Sequence, residues 1–520
     1  MTGRTEASPG PFRSATLYPC RVPRRLVLAL VAGGALSLAF EPVALPWVIP
    51  FALAARLLAL RGLDARRGWL PGLAFGVGFY LVHIWWMHAV GYGAWLALAG
   101  AETLFYAALG SVDAVVLRGR WWPLWTAISW TAMEWLRGGW PFGGMPWGRL
   151  AFAVIDTPLA PTLPYAGLAG VGLLLAVAGA LLAWLVISPG RRRAGVLALA
   201  VLCLLVAVPS WRPWHPDVVG HADVVAVQGN VPGDGDVLAN YRQITRNHID
   251  LTVALGRRIA AGERPRPAFV LWPENSTAID PLTDTATDTG IWQAARAVGV
   301  PVVVGGLPNA PDRTHVLNQG IVWDPVTGAG DRYTKHHPVP FGEYMPLRGL
   351  LGKHNFGGLR VLDYDMVAGT RTTPLHVGGL RVADAICFDV AYDDVLDAQV
   401  RNGGQLVTVQ TSNASFTGTA QIAQQFAITR VRAMETGRYA VVAALNGVSG
   451  VIAPDGRVLA SAPIRTEAVL QRDVGLISGS TPAVVLGSRP GQVAAWLLLA
   501  RLIASCIIHW RRRRHTRREH

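Results

Sequence analysis

The sequence has few charged residues for its length. Only 15% of its 520 residues are Asp, Glu, Lys or Arg, and 51% are hydrophobic. A soluble globular protein has about 25% charged residues. This shortage excludes a chain made only of ordinary soluble domains, and a large part of the protein is predicted to lie in lipid.

Lysine is almost absent. Lys335 and Lys353 are the only lysines among the 47 basic residues, and the others are arginines. Arginine keeps its proton at neutral pH, whereas lysine can release it, so the two residues are not interchangeable in chemistry. The retained lysines are therefore candidates for a specific chemical role.

The net charge of +14 comes from arginines placed around apolar stretches. Alternate loops between these stretches are rich in arginine, and the intervening loops have little or none. By the positive-inside rule, this pattern places both termini in the cytoplasm and the long region 211–490 outside, and it argues against nucleic acid as a partner. Eight stretches are long enough to predict membrane spans, at 26–41, 44–60, 69–89, 94–117, 122–136, 166–187, 195–210 and 492–510.

These spans divide the chain into four predicted parts. They are a cytoplasmic tail (1–23), a seven-helix transmembrane region (24–210), an extracytoplasmic domain (211–490), and an eighth helix with a basic cytoplasmic tail (491–520). Because a second apolar span follows the first at once, the first is predicted to be a retained anchor rather than a cleaved signal. Tryptophans near span ends, such as Trp86, are expected to anchor at the membrane interface.

The region 211–490 alternates short β-rich runs with helical segments, which predicts an α/β domain. Cys387 is its only cysteine and has no disulfide partner on its side of the membrane. It is either a small buried hydrophobic residue or a nucleophile, which needs a base and an oxyanion donor. Glu274 and Lys335 lie at the ends of predicted strands and can fill these roles, although either alone is also compatible with a surface charge.

Two other types of site are weakly indicated in this domain. The adjacent His336 and His337 suggest a metal ion, but no third ligand follows at a regular spacing, so no metal is expected. No GxSxG nucleophile elbow is present, which argues against a serine hydrolase.

Three segments resemble motifs of the nitrilase superfamily: LWPEN around Glu274, KHHPVPFGEYMPLR from Lys335, and AICFD around Cys387. The segment EWLRGGWPFGGMPWGRLA and the spans on both sides of the domain are similar to the membrane-bound branch, the apolipoprotein N-acyltransferases. The resemblance implies an α/β fold, a nitrilase-type α-β-β-α sandwich inserted between the transmembrane helices of an eight-helix membrane bundle.

The resemblance also implies a ping-pong acyltransferase of the cytoplasmic (inner) membrane. A phospholipid would donate an acyl chain through a thioester to the α-amine of a diacylglyceryl-modified apolipoprotein. No cofactor is needed, and a monomer is expected. The implied roles are general base for Glu274, nucleophile for Cys387, oxyanion stabilisation for Lys335 and the backbone N–H of Phe388, support for Glu343 and Asp389, and substrate binding for Asn413, Phe416 and Trp147.

The chain departs from the family pattern at three positions that the resemblance places around the acyl and acceptor pocket. Phe388 stands where Tyr is common, Asp389 where Glu is common, and Ser415 where Trp is frequent. Two other functions remain compatible with the sequence. One is a membrane-anchored C–N hydrolase acting on a small amide, and the other is a non-catalytic lipid- or lipoprotein-binding protein.

Overall fold

The computed structural model describes residues 21–233, 237, 239–351 and 364–518. A helix lies at each of the eight predicted spans. Most of the predicted N-terminal tail and Lys353 lie outside the described residues. The eight helices are α1 (Arg21–Ser37), α2 (Val48–Leu60), α3 (Ala65–His83), α4 (Tyr92–Val116), α5 (Trp122–Gly139), α6 (Leu163–Ile187), α7 (Arg192–Trp211) and α14 (Arg489–Arg518).

Four helical stretches in the described part of the chain are long and apolar enough to cross a bilayer. They are Tyr92–Val116, Ala160–Ile187, Pro189–Trp211 and Arg489–Ile508. The helix Val48–Leu60 is apolar but has only 13 residues. The protein is therefore a membrane protein, while the count of eight spans and the predicted domain boundaries stay predictions.

Glycines bring α1 and α3 into very close contact. A Cβ at Gly33 would lie 2.0 Å from the carbonyl oxygen of Phe75, and a Cβ at Gly78 would lie 2.1 Å from that of Leu30. Small residues allow such approach between helices in lipid, where packing replaces the hydrophobic effect as the source of stability.

Among the residues described, the α/β domain contains two six-stranded mixed sheets. The first has the order β14-β1-β2-β3-β5-β6 and the second β13-β12-β11-β10-β9-β8. A two-stranded sheet pairs β4 with β7. The strands are β1 (Asp217–Gln228), β2 (Phe269–Leu271), β3 (Val302–Gly306), β4 (His315–Val316), β5 (Gln319–Asp324), β6 (Gly328–Thr334), β7 (Asp365–Met366), β8 (Leu375–Val377), β9 (Leu380–Ile386), β10 (Leu406–Thr411), β11 (Ala440–Ala444), β12 (Gly450–Ile452), β13 (Val458–Ser461) and β14 (Ala468–Ser478).

The sheets pack face to face, and helices cover both outer faces. Alternate residues of β1 show this, because Val225 packs outward in one core cluster and Val224 inward in the core shared with the second sheet. The predicted four-layer α-β-β-α sandwich is therefore confirmed. Its helices are α8 (Tyr241–Ala260) and α9 (Thr285–Val298) on the first sheet, α11 (Asp393–Arg401) and α12 (Ala420–Thr436) on the second, and the short α10 (Arg348–Leu351) and α13 (Pro482–Leu486) elsewhere.

Candidate active site

Strand ends bring the predicted triad to one edge of the sandwich. Glu274 follows β2, Lys335 follows β6 and Cys387 follows β9. β2 and β6 run in the same direction within the first sheet, and β9 lies in the facing sheet. Carboxyl ends of strands are the usual position of active sites in α/β folds.

The Lys335 ammonium lies between two carboxylates. Its Nζ donates to Glu274 Oε1 at 3.1 Å and to Glu343 Oε1 at 2.7 Å, and its side chain is 1% exposed. Burial alone would lower the pKa of Lys335, but Glu274 and Glu343 outweigh burial and hold it well above its ordinary value. Lys335 is thus a fixed positive charge, as oxyanion stabilisation requires.

Backbone and amide donors fix the Glu274 carboxylate. Asn318 Nδ2 donates to Oε1 at 2.8 Å, and the backbone N–H of Ser412 donates to Oε2 at 3.0 Å. Sequence reasoning missed Asn318 and Ser412, because neither lies in a recognised motif. The only signal for Asn318 was its position, an amide side chain directly before β5.

Glu343 supports the same lysine from the other side. Its second oxygen accepts from the backbone N–H of Val339 at 2.8 Å. Burial raises the pKa of Glu343, and the neighbouring Lys335 opposes this rise. Glu343 therefore holds a proton more readily than an exposed glutamate would.

Cys387 begins a tight 3-10 turn, Cys387–Ala391, at the end of β9. Its φ of +52° lies in the left-handed region, which a non-glycine residue adopts only under constraint. Burial and then the Glu274 carboxylate raise the pKa of the thiol to about 12, while Lys335 acts in the opposite direction. The resting residue is a thiol, so a nucleophilic role requires a base beside it.

Asp389 joins the Cys387 turn to the segment that follows Lys335. Its Oδ1 accepts from the backbone N–H of His337 at 2.8 Å, and its Oδ2 accepts from the hydroxyl of Tyr333 at 2.8 Å and from the backbone N–H of His336 at 3.2 Å. Oδ2 also accepts from the Ile386 N–H at 3.3 Å. Asp389 is fully buried and positions both halves of the site.

The structure supplies the third ligand that the sequence pattern of His336 and His337 lacked. Asp394, from α11, contributes a carboxylate oxygen, and one ligand atom from each residue lies within 4.8 Å of the others. His337 Nε2 is 2.9 Å from Asp394 Oδ1, and its ring stacks on Tyr392 at 3.7 Å. These three residues could hold a metal ion, although the ion pair and the stacking also account for their positions.

Aromatic side chains from the membrane region pack beside Phe388, the residue after Cys387. Trp147 stacks on Phe388 with a centroid separation of 6.1 Å and also contacts Trp86, whose ring meets Phe416 at 5.2 Å. Trp86 is 5% exposed, so the expectation of an interfacial anchor is wrong for this residue. Its buried position depends on packing between segments far apart in sequence.

Gln424 of α12 fixes two of these aromatic rings. Its Oε1 accepts from Trp86 Nε1 at 2.9 Å and from Trp147 Nε1 at 2.7 Å. Its Nε2 donates to the carbonyl oxygens of Glu41 at 2.9 Å and His83 at 3.3 Å. A single catalytic-domain side chain thus contacts three segments of the membrane region. The sequence contained no signal for this role.

The remaining predicted substrate residue, Asn413, has an internally bonded side chain. Its Nδ2 donates to Gln421 Oε1 at 2.9 Å and to Gln425 Oε1 at 2.6 Å, and the Thr411 hydroxyl donates to its Oδ1. Its part in the site is therefore positional in this structure. Ser415, where the sequence departs from the family pattern, is exposed.

Known protein families match both the membrane region and the α/β domain. The family model described as "Apolipoprotein N-acyltransferase N-terminal domain" matches residues 32–181, and the family model described as "Carbon-nitrogen hydrolase" matches residues 259–478. A protein of Mycolicibacterium smegmatis named apolipoprotein N-acyltransferase is 38% identical over 88% of this chain and 81% of its own length. The chain belongs to the apolipoprotein N-acyltransferase family.

Other apolipoprotein N-acyltransferases agree over nearly full lengths. The Pseudomonas putida protein is 31% identical over 92% of this chain and 98% of its own. The Chromobacterium violaceum protein is 29% identical over 97% of both. The carbon-nitrogen hydrolase match includes Glu274, Lys335 and Cys387, while the N-terminal match includes Trp86 and Trp147. Both regions that form the aromatic contact therefore lie within family-matched segments.

Proposed function

We propose that this protein transfers an acyl chain from a phospholipid to the α-amine of the N-terminal diacylglyceryl-cysteine of an apolipoprotein. The observation that carries the proposal is the buried Glu274–Lys335–Glu343 arrangement at the edge where Cys387 begins its turn. Membership of the acyltransferase family supports the same reaction.

In the first half-reaction, Glu274 takes the proton from Cys387 Sγ as the sulfur attacks the ester carbonyl of the phospholipid. Lys335 and the backbone N–H of Phe388 stabilise the tetrahedral oxyanion; losing one such donor commonly costs about 3–4 kcal/mol. The carbon–oxygen ester bond breaks, and the lysophospholipid oxygen leaves with the proton held by Glu274. A thioester remains on Cys387.

In the second half-reaction, the acceptor α-amine attacks the thioester carbonyl. Glu274 accepts a proton from the attacking nitrogen, and the same donors stabilise the second oxyanion. The carbon–sulfur bond breaks, an amide forms, and the proton returns to Cys387 Sγ. The acceptor must arrive as the neutral amine, because Glu274 can accept only the one proton that the nitrogen loses on attack.

Contacts between the membrane region and the sandwich support a lipid substrate. Trp147 and Trp86 reach the nucleophile's neighbour Phe388 and the loop residue Phe416, so acyl chains would enter between the membrane region and the sandwich. We place the catalytic domain on the extracytoplasmic face of the cytoplasmic membrane, with both termini in the cytoplasm, and treat the enzyme as a monomer.

The test is covalent labelling. Purified full-length protein is incubated with a phospholipid carrying a labelled acyl chain, and protein-bound label is checked for release by hydroxylamine. Label on Cys387 that is lost in Cys387→Ala and retained in Cys203→Ala, a matched change in α7, supports the proposal. Hydrolysis of a small amide with no labelling by the phospholipid would identify a C–N hydrolase instead. Absence of both reactions would favour a binding protein.

A further inference from the structure

Two polar side chains approach each other in the interior between the sheets. Asp384 on β9 and Gln410 on β10 are fully buried and project toward the first sheet. Gly320 on β5 leaves the space they occupy: a Cβ there would lie 2.3 Å from Gln410 Oε1 and 2.6 Å from Asp384 Oδ2. The two oxygens thus converge on one point.

Neither of these oxygens has a hydrogen-bond donor among the described residues. The other ends of both groups are occupied, because the Thr408 hydroxyl donates to Asp384 Oδ1 at 2.6 Å and Gln410 Nε2 donates to the carbonyl oxygen of Trp272 at 2.6 Å. Two buried acceptors that face each other without a proton repel, and each loses its solvation.

Rotating the Gln410 amide does not resolve the conflict. Rotation would direct the NH₂ group toward Asp384. It would also replace Gln410 Nε2, which now lies 2.6 Å from the Trp272 carbonyl oxygen, with Oε1, so two acceptors would meet there. A proton on Asp384 Oδ2 resolves both contacts, because a carboxylic acid can donate to Gln410 Oε1 while its other oxygen still accepts from Thr408.

We propose that Asp384 is a positioning residue that carries a proton in the active enzyme and, through Gln410, holds the main chain that precedes Glu274. The chain of hydrogen bonds runs from Asp384 to Gln410 Oε1, and from Gln410 Nε2 to the carbonyl of Trp272, two residues before Glu274. The inference rests on the proposed role of Glu274 as general base.

The surroundings favour the neutral acid. The pKa of Asp384 is raised to about 7, chiefly by burial and in part by Asp389, against the lowering effect of hydrogen bonds from the Thr408 hydroxyl and the backbone N–H of Ala385. Arg371, before β8, acts in the lowering direction, and Tyr333 on β6 is a titratable neighbour. The other residues that contact Asp384 are uncharged. They are Gly320 from β5, Thr408 and Gln410 from β10, and Gln399 from α11.

Loss of this proton would act on Glu274 rather than on the whole fold. The indole of Trp272 is held separately, since its Nε1 donates to the Thr252 hydroxyl at 2.9 Å. When the Asp384 carboxylate repels Gln410 Oε1, the bond to the Trp272 carbonyl loosens and the displacement passes to residues 273 and 274. A small displacement of a general base lowers the rate without unfolding the protein.

The experiment measures the rate of thioester formation from pH 6 to pH 9 in the native protein and in Asp384→Asn. The amide introduced by this substitution supplies a permanent N–H donor to Gln410 and still accepts from Thr408. At pH 6 the two proteins should react within about twofold of each other. At pH 8 the native rate should be lower than that of Asp384→Asn by roughly tenfold, as expected for an acid with a pKa near 7.

Two further measurements keep the inference falsifiable. The infrared carbonyl band of a buried protonated carboxylic acid should be present in the native protein at pH 6 and absent in Asp384→Asn. Gln410→Leu should lower the rate at every pH, because Trp272 loses its donor. Identical pH profiles for the native protein and Asp384→Asn, or no such infrared band, would overturn the inference. Absence of a thioester in both proteins at pH 6 would instead overturn the proposed function.

Discussion

Replacing Asp389 with alanine is expected to misplace the proposed nucleophile, Cys387, and the proposed oxyanion donors together. The change removes an acceptor shared by the N–H groups of Ile386, His336 and His337 and by the hydroxyl of Tyr333. Ile386 is 1% exposed and Tyr333 is completely buried, so water cannot replace the carboxylate at those two donors.

The stability loss can be estimated from these contacts. A buried donor left without a partner costs about 1–3 kcal/mol, so the two fully buried donors together predict a loss of roughly 2–6 kcal/mol. Domains have a free energy of unfolding of about 5–15 kcal/mol, and much of the variant should therefore still fold at low temperature. The two half-buried backbone donors can bind water, but their segment would no longer be tied to the Cys387 turn.

The effect on the reaction should exceed that expected from partial unfolding. Loss of one oxyanion donor lowers rates by about 10²–10³-fold, and Asp389→Ala disturbs the turn of Phe388 and the segment of Lys335 at once. The assay is the rate of thioester formation per folded molecule, with the folded fraction measured by thermal unfolding in detergent. We expect a decrease of at least about 100-fold.

Two variants control this prediction. Asp455→Ala removes an exposed carboxylate paired with Arg457 and should leave both stability and rate nearly unchanged. Asp389→Glu keeps the acceptor and should recover part of the rate. A folded Asp389→Ala protein that forms the thioester within about threefold of the native rate would refute the positioning argument.

Two other predictions concern the contacts between the sandwich and the membrane region. Gln424→Leu leaves the indole N–H groups of Trp86 and Trp147 unpaired and should lower the free energy of unfolding by about 2–6 kcal/mol. Gln243→Leu, on the exposed face of α8, is the control. Equal melting temperatures for the two variants would contradict this prediction. Burial would raise the pKa of Asp393, but Arg149 and Arg432 outweigh it and lower the pKa to about 2. This stabilisation is present above about pH 4 and is lost as the pH falls toward 2. Between pH 5 and pH 2 the free energy of unfolding should therefore fall by about 2 kcal/mol more in the native protein than in Asp393→Asn. An equal dependence of unfolding free energy on pH in the two proteins would count against this prediction.

Local sequence was sufficient for much of the catalytic region. Each predicted triad residue follows an apolar or alternating run that ends in polar or proline residues, and such runs form strands because their side chains alternate between the two core faces. The apolar stretches likewise became helices, since a chain in lipid must pair its own backbone groups. The count of spans did not follow as directly, because α2 is short and α3 and α5 carry charged residues.

The residues that sequence reasoning missed act through distant partners. Asn318 and Ser412 meet Glu274 across 44 and 138 positions of the chain. Gln424 meets Trp86 across 338 positions. No local periodicity records such contacts, which depend on how the sheets pair and how the sandwich packs on the membrane helices. Trp86 shows the same limit, because its assignment as an anchor rested on its position near a span end and took no account of a partner that only folding brings to it.

The sequence by itself determined the membrane character, the α/β domain and the predicted triad of Glu274, Lys335 and Cys387. Apolar runs, strand patterns and side-chain types are local properties, so they can be read without the fold. Tertiary structure alone decided the electrostatic setting of those residues. It placed Lys335 between two carboxylates, raised the pKa of Cys387, and set Asp384 against Gln410. These effects depend on distance and burial, which arise only when segments remote in the chain pack together.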